Sequence, residues 1–280
     1  MLFDDDYGYN IGMKSEGKRK IVIGNWKMNL TVPESTVLTE RLKKEIVFFE
    51  NTDVVVCPSS LSIYPVSGIL KDSSIKLGAQ NLFYEEKGNF TGEISPMQLR
   101  GFIDYAIIGH SERRIFLGEE DKDVARKVKA AVTFDITPVI CVGETLQERG
   151  DGIGKVVATS QLEAALSLLT AKEVSDVIIA YEPVWSISPS DRVCKPKDAT
   201  YIIEALINLA GTLYGKETVS KMRFIYGGST DEKNAKEFLK EKDIEGFLVG
   251  GASLEHDKFL KIIQETEHSF AKSARKNTSK

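Results

Sequence analysis

Eight short apolar runs recur along this chain, each separated from the next by a longer, charge-rich stretch. That alternation restricts the fold more than any other property. The runs are Ile21-Val22-Ile23, Val54-Val55-Val56, Ile75-Lys76-Leu77, Tyr105-Ala106-Ile107-Ile108, Pro138-Val139-Ile140, Val177-Ile178-Ile179, Arg223-Phe224-Ile225 and Phe247-Leu248-Val249. Most are apolar at consecutive positions, the pattern of strands buried on both faces, and such strands belong to parallel sheets covered by helices. Several intervening segments carry the apolar spacing of a helix: Val124, Val128, Ala131 and Val132 in one, Leu162, Ala165 and Leu169 in another. Eight strands alternating with helices describe an α/β fold, a single (β/α)8 barrel with parallel strands inside and helices outside, better than an open doubly wound sheet. No Pro/Gly-rich linker divides the 280 residues, so one barrel domain is expected over residues 20–264. Residues 1–19 read as an N-terminal extension and 265–280 as a C-terminal tail, both polar and expected to fray.

Composition removes several classes of function. A formal charge of −4 offers no footing for nucleic acid. Cys57, Cys141 and Cys194 are too few and too scattered for a disulfide framework or a zinc cluster. No apolar run approaches the length that spans a bilayer. The start carries Asp4, Asp5 and Asp6, not basic residues before an apolar stretch, so it does not read as a signal peptide. A cytoplasmic, soluble protein is expected, with no nucleic-acid or membrane partner.

In such barrels the residues just past the carboxyl ends of the strands face the ligand. The run Val177-Ile178-Ile179 closes in Ala180-Tyr181-Glu182-Pro183-Val184-Trp185, a lone carboxylate beside a loop. The first run ends in Gly24-Asn25-Trp26-Lys27-Met28-Asn29, and the fourth in Gly109-His110-Ser111-Glu112-Arg113-Arg114. His110 falls at or just before a helix start, where free backbone N–H groups suit a neutral ring better than a charged one. Taken singly, Lys27 reads as a surface amine, His110 as a structural histidine and Glu182 as half of a salt bridge. Together, at three strand ends on one face, they point to proton-transfer chemistry. Gly227-Gly228-Ser229 and Gly250-Gly251 follow the last two strands, where backbone N–H groups can form an anion nest.

From about Ile21 to about Ile263 the chain resembles the triosephosphate isomerase family, which implies a TIM barrel. The matching segments are Gly24 to Asn29, Gly78-Ala79-Gln80-Asn81, Phe90 to Ser95, Ile108 to Arg114, Cys141-Val142-Gly143-Glu144-Thr145, Ala180 to Trp185, Tyr226 to Ser229 and Gly246 to Leu254. The resemblance implies interconversion of dihydroxyacetone phosphate and D-glyceraldehyde 3-phosphate through an enediolate, as in glycolysis and gluconeogenesis, with no metal or organic cofactor. It implies Glu182 as general base, His110 as neutral electrophile and Lys27 as fixed positive charge. Asn25, Lys27, Ser188, Ser229, Gly250 and Gly251 would bind substrate. Ser111 would touch Glu182, Glu112 would hold Lys27, and Cys141 would pack in support. A homodimer is also implied, with Gln80 and Thr91 near the other subunit's site.

One stretch departs from the pattern. Where the family usually has Ala-Ile-Gly-Thr-Gly-Lys in its mobile loop, this chain has Ser186-Ile187-Ser188-Pro189-Ser190-Asp191. Ser188 keeps a backbone donor, Pro189 removes one, and Asp191 replaces a cation with an anion. The departure leaves open a related substrate such as a tetrulose phosphate.

Overall fold

Successive side chains of a strand point to opposite sides of its sheet, and here both sides are apolar, so every strand must be covered twice. The chain solves this by closing the sheet on itself. In the computed structural model, which describes residues 18–47, 49–187 and 192–277 with side chains as far as 269, eight parallel strands form a closed barrel in sequence order. They are β1 Lys20–Asn25, β2 Thr52–Cys57, β3 Lys76–Ala79, β4 Tyr105–Ile108, β5 Thr137–Val142, β6 Ile178–Tyr181, β7 Arg223–Tyr226 and β8 Gly246–Val249. Each expected run overlaps its strand, although Ile75 precedes β3, Gly78 and Ala79 extend it, and Val177 precedes β6.

Two apolar layers follow from the alternation. Ile21, Ile23, Val55, Ile107, Val139, Ile178, Ile225 and Leu248 pack together inside the cylinder. Their strand neighbours Val22, Val54, Val56, Ile108, Ile140, Ile179, Phe224 and Phe247 face the helices. The interior is therefore filled, and polar groups have room only at the ends.

The helices form where the periodicity places them. Asp121–Thr133 buries Val124, Val128 and Ala131. Gly154–Leu166 buries Leu162 and Ala165, with Leu169 buried just beyond its end. The last helix runs His256–Asn277, so the boundary expected at 265 falls inside it. Phe259, Ile262, Ile263 and Thr266 are all fully buried, a helical spacing that carries across the boundary. The next residue, Glu267, accepts hydrogen bonds from the Glu50 and Asn51 amides at 3.1 Å each. Composition made this stretch look like a polar tail; the packing of Thr266 and the bonds of Glu267 tie its start to the barrel. At the other terminus Lys18 pairs with Glu245 at 2.8 Å and Arg19 with Asp53 at 3.1 Å, so these two residues of the expected extension belong to the barrel's amino end. Residues 1–17 lie outside the described residues.

Closure joins β8 to β1, with Ile21 opposite Gly246. Gly246 has φ +150°, and a Cβ there would lie 1.8 Å from the Ile21 carbonyl oxygen. Only glycine lets the two backbones meet. Gly246→Ala is expected to destabilise the fold by about 3 kcal/mol, read as a lowered midpoint in urea or thermal unfolding.

Candidate active site

The period-two alternation, continued one step past the filled interior, selects the site. After Ile21 and Ile23 comes Asn25; after Ile178 and Ala180, Glu182; after Val139 and Cys141, Gly143; after Ile225, Gly227; after Leu248, Gly250. Asn25, Gly227 and Gly250 line one cavity of about 390 Å³ together with Lys27, His110 and Ser229. Glu182 is 1 % exposed and lies beside the His110 ring. Its Oε2 accepts the Ser111 N–H at 2.9 Å. Its Oε1 sits 3.1 Å from His110 Nε2 without the alignment of a hydrogen bond, and it has no hydrogen-bond partner among the described residues. One carboxylate oxygen is anchored; the other is kept dry and unbound.

His110 caps the helix Ser111–Leu117. The Glu112 N–H donates to its Nδ1 at 3.2 Å, so that nitrogen carries a lone pair and the neutral ring holds its proton on Nε2, toward Glu182. Glu112 works twice more, since its carboxylate pairs with Lys27 Nζ at 2.5 Å and lies 3.7 Å from His110 Nδ1.

Lys27 is held in an unusual backbone conformation for a residue with a side chain, φ +53°. Asn25 Oδ1 accepts the Lys27 N–H at 3.1 Å, and Gln80 Nε2 donates to the Lys27 carbonyl at 2.9 Å and to that of Cys57 at 2.9 Å. These bonds hold the left-handed turn that brings the ammonium back over the mouth, 3.8 Å from where a Gly250 Cβ would stand.

The structure places the remaining expected residues unevenly. Gly250 and Gly251 line the cavity. The Ser229 hydroxyl donates to the Ser186 carbonyl at 2.6 Å, and the Ser186 hydroxyl accepts the Cys194 N–H at 3.2 Å. Ser188, with Pro189, Ser190 and Asp191, lies outside the described residues. Thr91 is exposed. A second cavity of about 500 Å³ opens beside Asn25, Lys27, Gln80 and His110, and Met28, Phe116 and Leu117 line it while remaining largely exposed.

Sequence reasoning passed over a second carboxylate. Glu144, fully buried, accepts from Trp185 Nε1 at 2.7 Å and from the Tyr181 hydroxyl at 3.0 Å. Arg149 approaches it to 3.6 Å and lies 4.2 Å over the Trp185 ring. Glu144 thus ties down residues on both sides of Glu182. The available signal was the invariance of strand parity: Glu144 follows the interior position Gly143 and so faces outward, where a buried acid needs donors.

A closed (β/α)8 barrel with these groups gathered at one mouth is the architecture of a barrel enzyme. The chain belongs to the triosephosphate isomerase family, whose family model matches residues 20–266. The triosephosphate isomerase of Dehalococcoides mccartyi is 42% identical over 245 residues, covering 88% of this chain and 95% of the relative. That of Endomicrobium trichonymphae is 42% identical over 248 residues, with 88% and 98% covered. That of Thermoanaerobacter pseudethanolicus is 42% identical over 247 residues, with 88% and 99% covered. No helix among the described residues is long and apolar enough to cross a membrane.

Cys57, Cys141 and Cys194 are free and buried. Burial raises the Cys141 thiol well above the ordinary range, and the neighbouring Glu182 charge adds to the effect. Burial likewise raises Cys57, and pushes Cys194 to about 12. At about pH 8 all three stay thiols in the folded protein, whereas an unfolded cysteine is partly thiolate. Iodoacetamide is therefore expected to label them only after denaturant is added, read by intact mass. Above the ordinary thiol value only the unfolded chain releases these protons, so the same shifts make stability fall as pH rises through it.

Proposed function

We propose that this chain is an aldose–ketose isomerase interconverting dihydroxyacetone phosphate and D-glyceraldehyde 3-phosphate through an enediolate, with Glu182 as the base. The observation that carries this is a dry carboxylate oxygen 3.1 Å from the Nε2 of a histidine whose Nδ1 accepts the Glu112 N–H. The relatives above bear the name of that activity, and neither they nor the family model support a larger ketose phosphate.

The steps follow from the groups present. Glu182 turns from its Ser111 contact, removes a proton from the carbon next to the carbonyl and becomes a carboxylic acid; the electron pair moves onto the carbonyl oxygen. His110 Nε2–H donates to that oxygen and shuttles the proton between the two oxygens, and Glu182 returns its own proton to the neighbouring carbon. Lys27 places fixed positive charge against the enediolate and the phosphate, with Asn25 as amide donor. The Gly250, Gly251 and Ser229 backbone receives the phosphate, and Ser188 adds a donor from the covering segment. Cys141 packs beneath Glu182. No step calls on a metal or cofactor.

The same reading makes the protein a cytoplasmic homodimer. The exposed loop carrying Thr91 fits the second cavity of a partner copy, beside its Gln80 and Lys27, and would cover Met28, Phe116 and Leu117.

A coupled assay is expected to show rapid turnover of both triose phosphates and loss of substrate hydrogen to heavy water. Glu182→Asp, which withdraws the carboxylate by about 1 Å, should lower kcat about 100-fold with KM little changed. Undiminished turnover in that variant would remove Glu182 as base. Light scattering should give twice the 31.1 kDa of one chain; an active species of single-chain mass would remove the dimer.

A further inference from the structure

We propose that Gln161, on the outer helix Gly154–Leu166, is a positioning residue for the proton-transfer carboxylate, acting through the main chain of Gly143. This rests on Glu182 being the base. β5 and β6 pair in parallel with Val142 opposite Tyr181, and their ladder continues past the strand ends. The Glu182 N–H donates to the Val142 carbonyl at 2.8 Å and the Val184 N–H to the Glu144 carbonyl at 3.1 Å. Gly143 sits between those two bonds. A Cβ on it would lie 1.7 Å from the Glu182 carbonyl oxygen and 2.6 Å from the carbonyl carbon. The backbone that carries the base therefore rests directly on the Gly143 Cα.

The Gly143 N–H takes no part in that ladder. It donates out of the sheet to Gln161 Oε1 at 2.8 Å. This bond fixes the plane of the 142–143 peptide. Turning that plane would swing the Val142 carbonyl, which belongs to the same peptide and accepts the Glu182 N–H, and so would shift the backbone of the base. Gln161 is a firm anchor, because Ala158, Leu162 and Ala165 of its helix are fully buried. The helix also gauges the next residue: a Cβ on Gly154 would lie 2.8 Å from Glu144 Cγ. Without the acceptor at 161, the half-buried Gly143 N–H would lose its partner, and the peptide would turn to seek another.

Gln161 is not among the residues that line the cavity of Asn25, Lys27, His110 and the glycines. Its removal should misplace the base and leave ground-state binding alone, which lowers kcat without raising KM.

The test is steady-state kinetics on both triose phosphates with Gln161→Leu, Gln161→Asn and Gln161→Glu, beside thermal unfolding of each. Gln161→Leu should lower kcat about tenfold and leave KM within about twofold. Gln161→Asn, whose acceptor is drawn back by one methylene, should lower kcat in the same direction. Gln161→Glu keeps an acceptor at the same reach and should hold kcat within about threefold. Wild-type kcat in both shortened or apolar variants overturns the inference. So does an equal loss in all three, or a lowered unfolding temperature with kcat intact. If the wild-type protein itself fails to turn over triose phosphates, the isomerase reading falls and takes this inference with it. An active wild type with an unaffected Gln161→Leu sinks this inference alone.

Discussion

The two-residue period of eight parallel strands, closed into a cylinder by the β8–β1 pairing, is the constraint on which everything else in this molecule rests. A closed sheet has no edge to satisfy, and its inner face belongs to alternate residues only. In this chain those residues are aliphatic and fill the interior, so no ligand can enter the barrel. The next inward-facing positions, where the strands stop, are the first at which polar side chains meet water on one side and a packed apolar floor on the other. Asn25, Glu182, Gly227 and Gly250 stand at those positions. The site is the edge of a core, and its geometry is inherited from that core.

At that edge the charges are few and shared. Glu112 pairs with Lys27 and, through its own N–H, sets the tautomer of His110. The Ser111 N–H, one residue earlier on the same helix, anchors Glu182. Two consecutive residues at one helix start thus address all three groups of the proposed chemistry. The strained backbone of Lys27 belongs to the same economy. A left-handed lysine costs of the order of 1 kcal/mol, offset by bonds from Asn25 and Gln80 that also carry the ammonium to the cavity. A carboxylate as dry as Glu182 is tolerated because its neighbours are fixed dipoles and not free water.

The outer layer reaches the site through backbone contacts. The helix Gly154–Leu166 meets Gly143 and Glu144, and Glu144 in turn holds Tyr181 and Trp185. Ser186, where the family usually has alanine, gathers the Cys194 amide to its hydroxyl and the Ser229 hydroxyl to its carbonyl. The described ends of the divergent segment are thereby joined at one residue beside the cavity. The departure from the family pattern is matched by a polar contact that alanine could not make.

The local pattern was enough to determine the element order and the barrel, since an apolar run with turn residues at its end becomes the same strand in any setting that covers both faces. Tyr105–Ile108 is one such case. The chain also determined, through motif and position, that Lys27, His110 and Glu182 stand at strand ends. It could not reveal that the helix begun at His256 continues past 265, because Thr266 and Glu267 are polar by type and integral only through what they touch. Nor could it reveal Gln161, whose place on a helix carries no mark of the amide it holds, or the shared duties of Glu112. Those depend on distances between residues far apart in the chain, and only closure of the cylinder brings them within hydrogen-bonding reach.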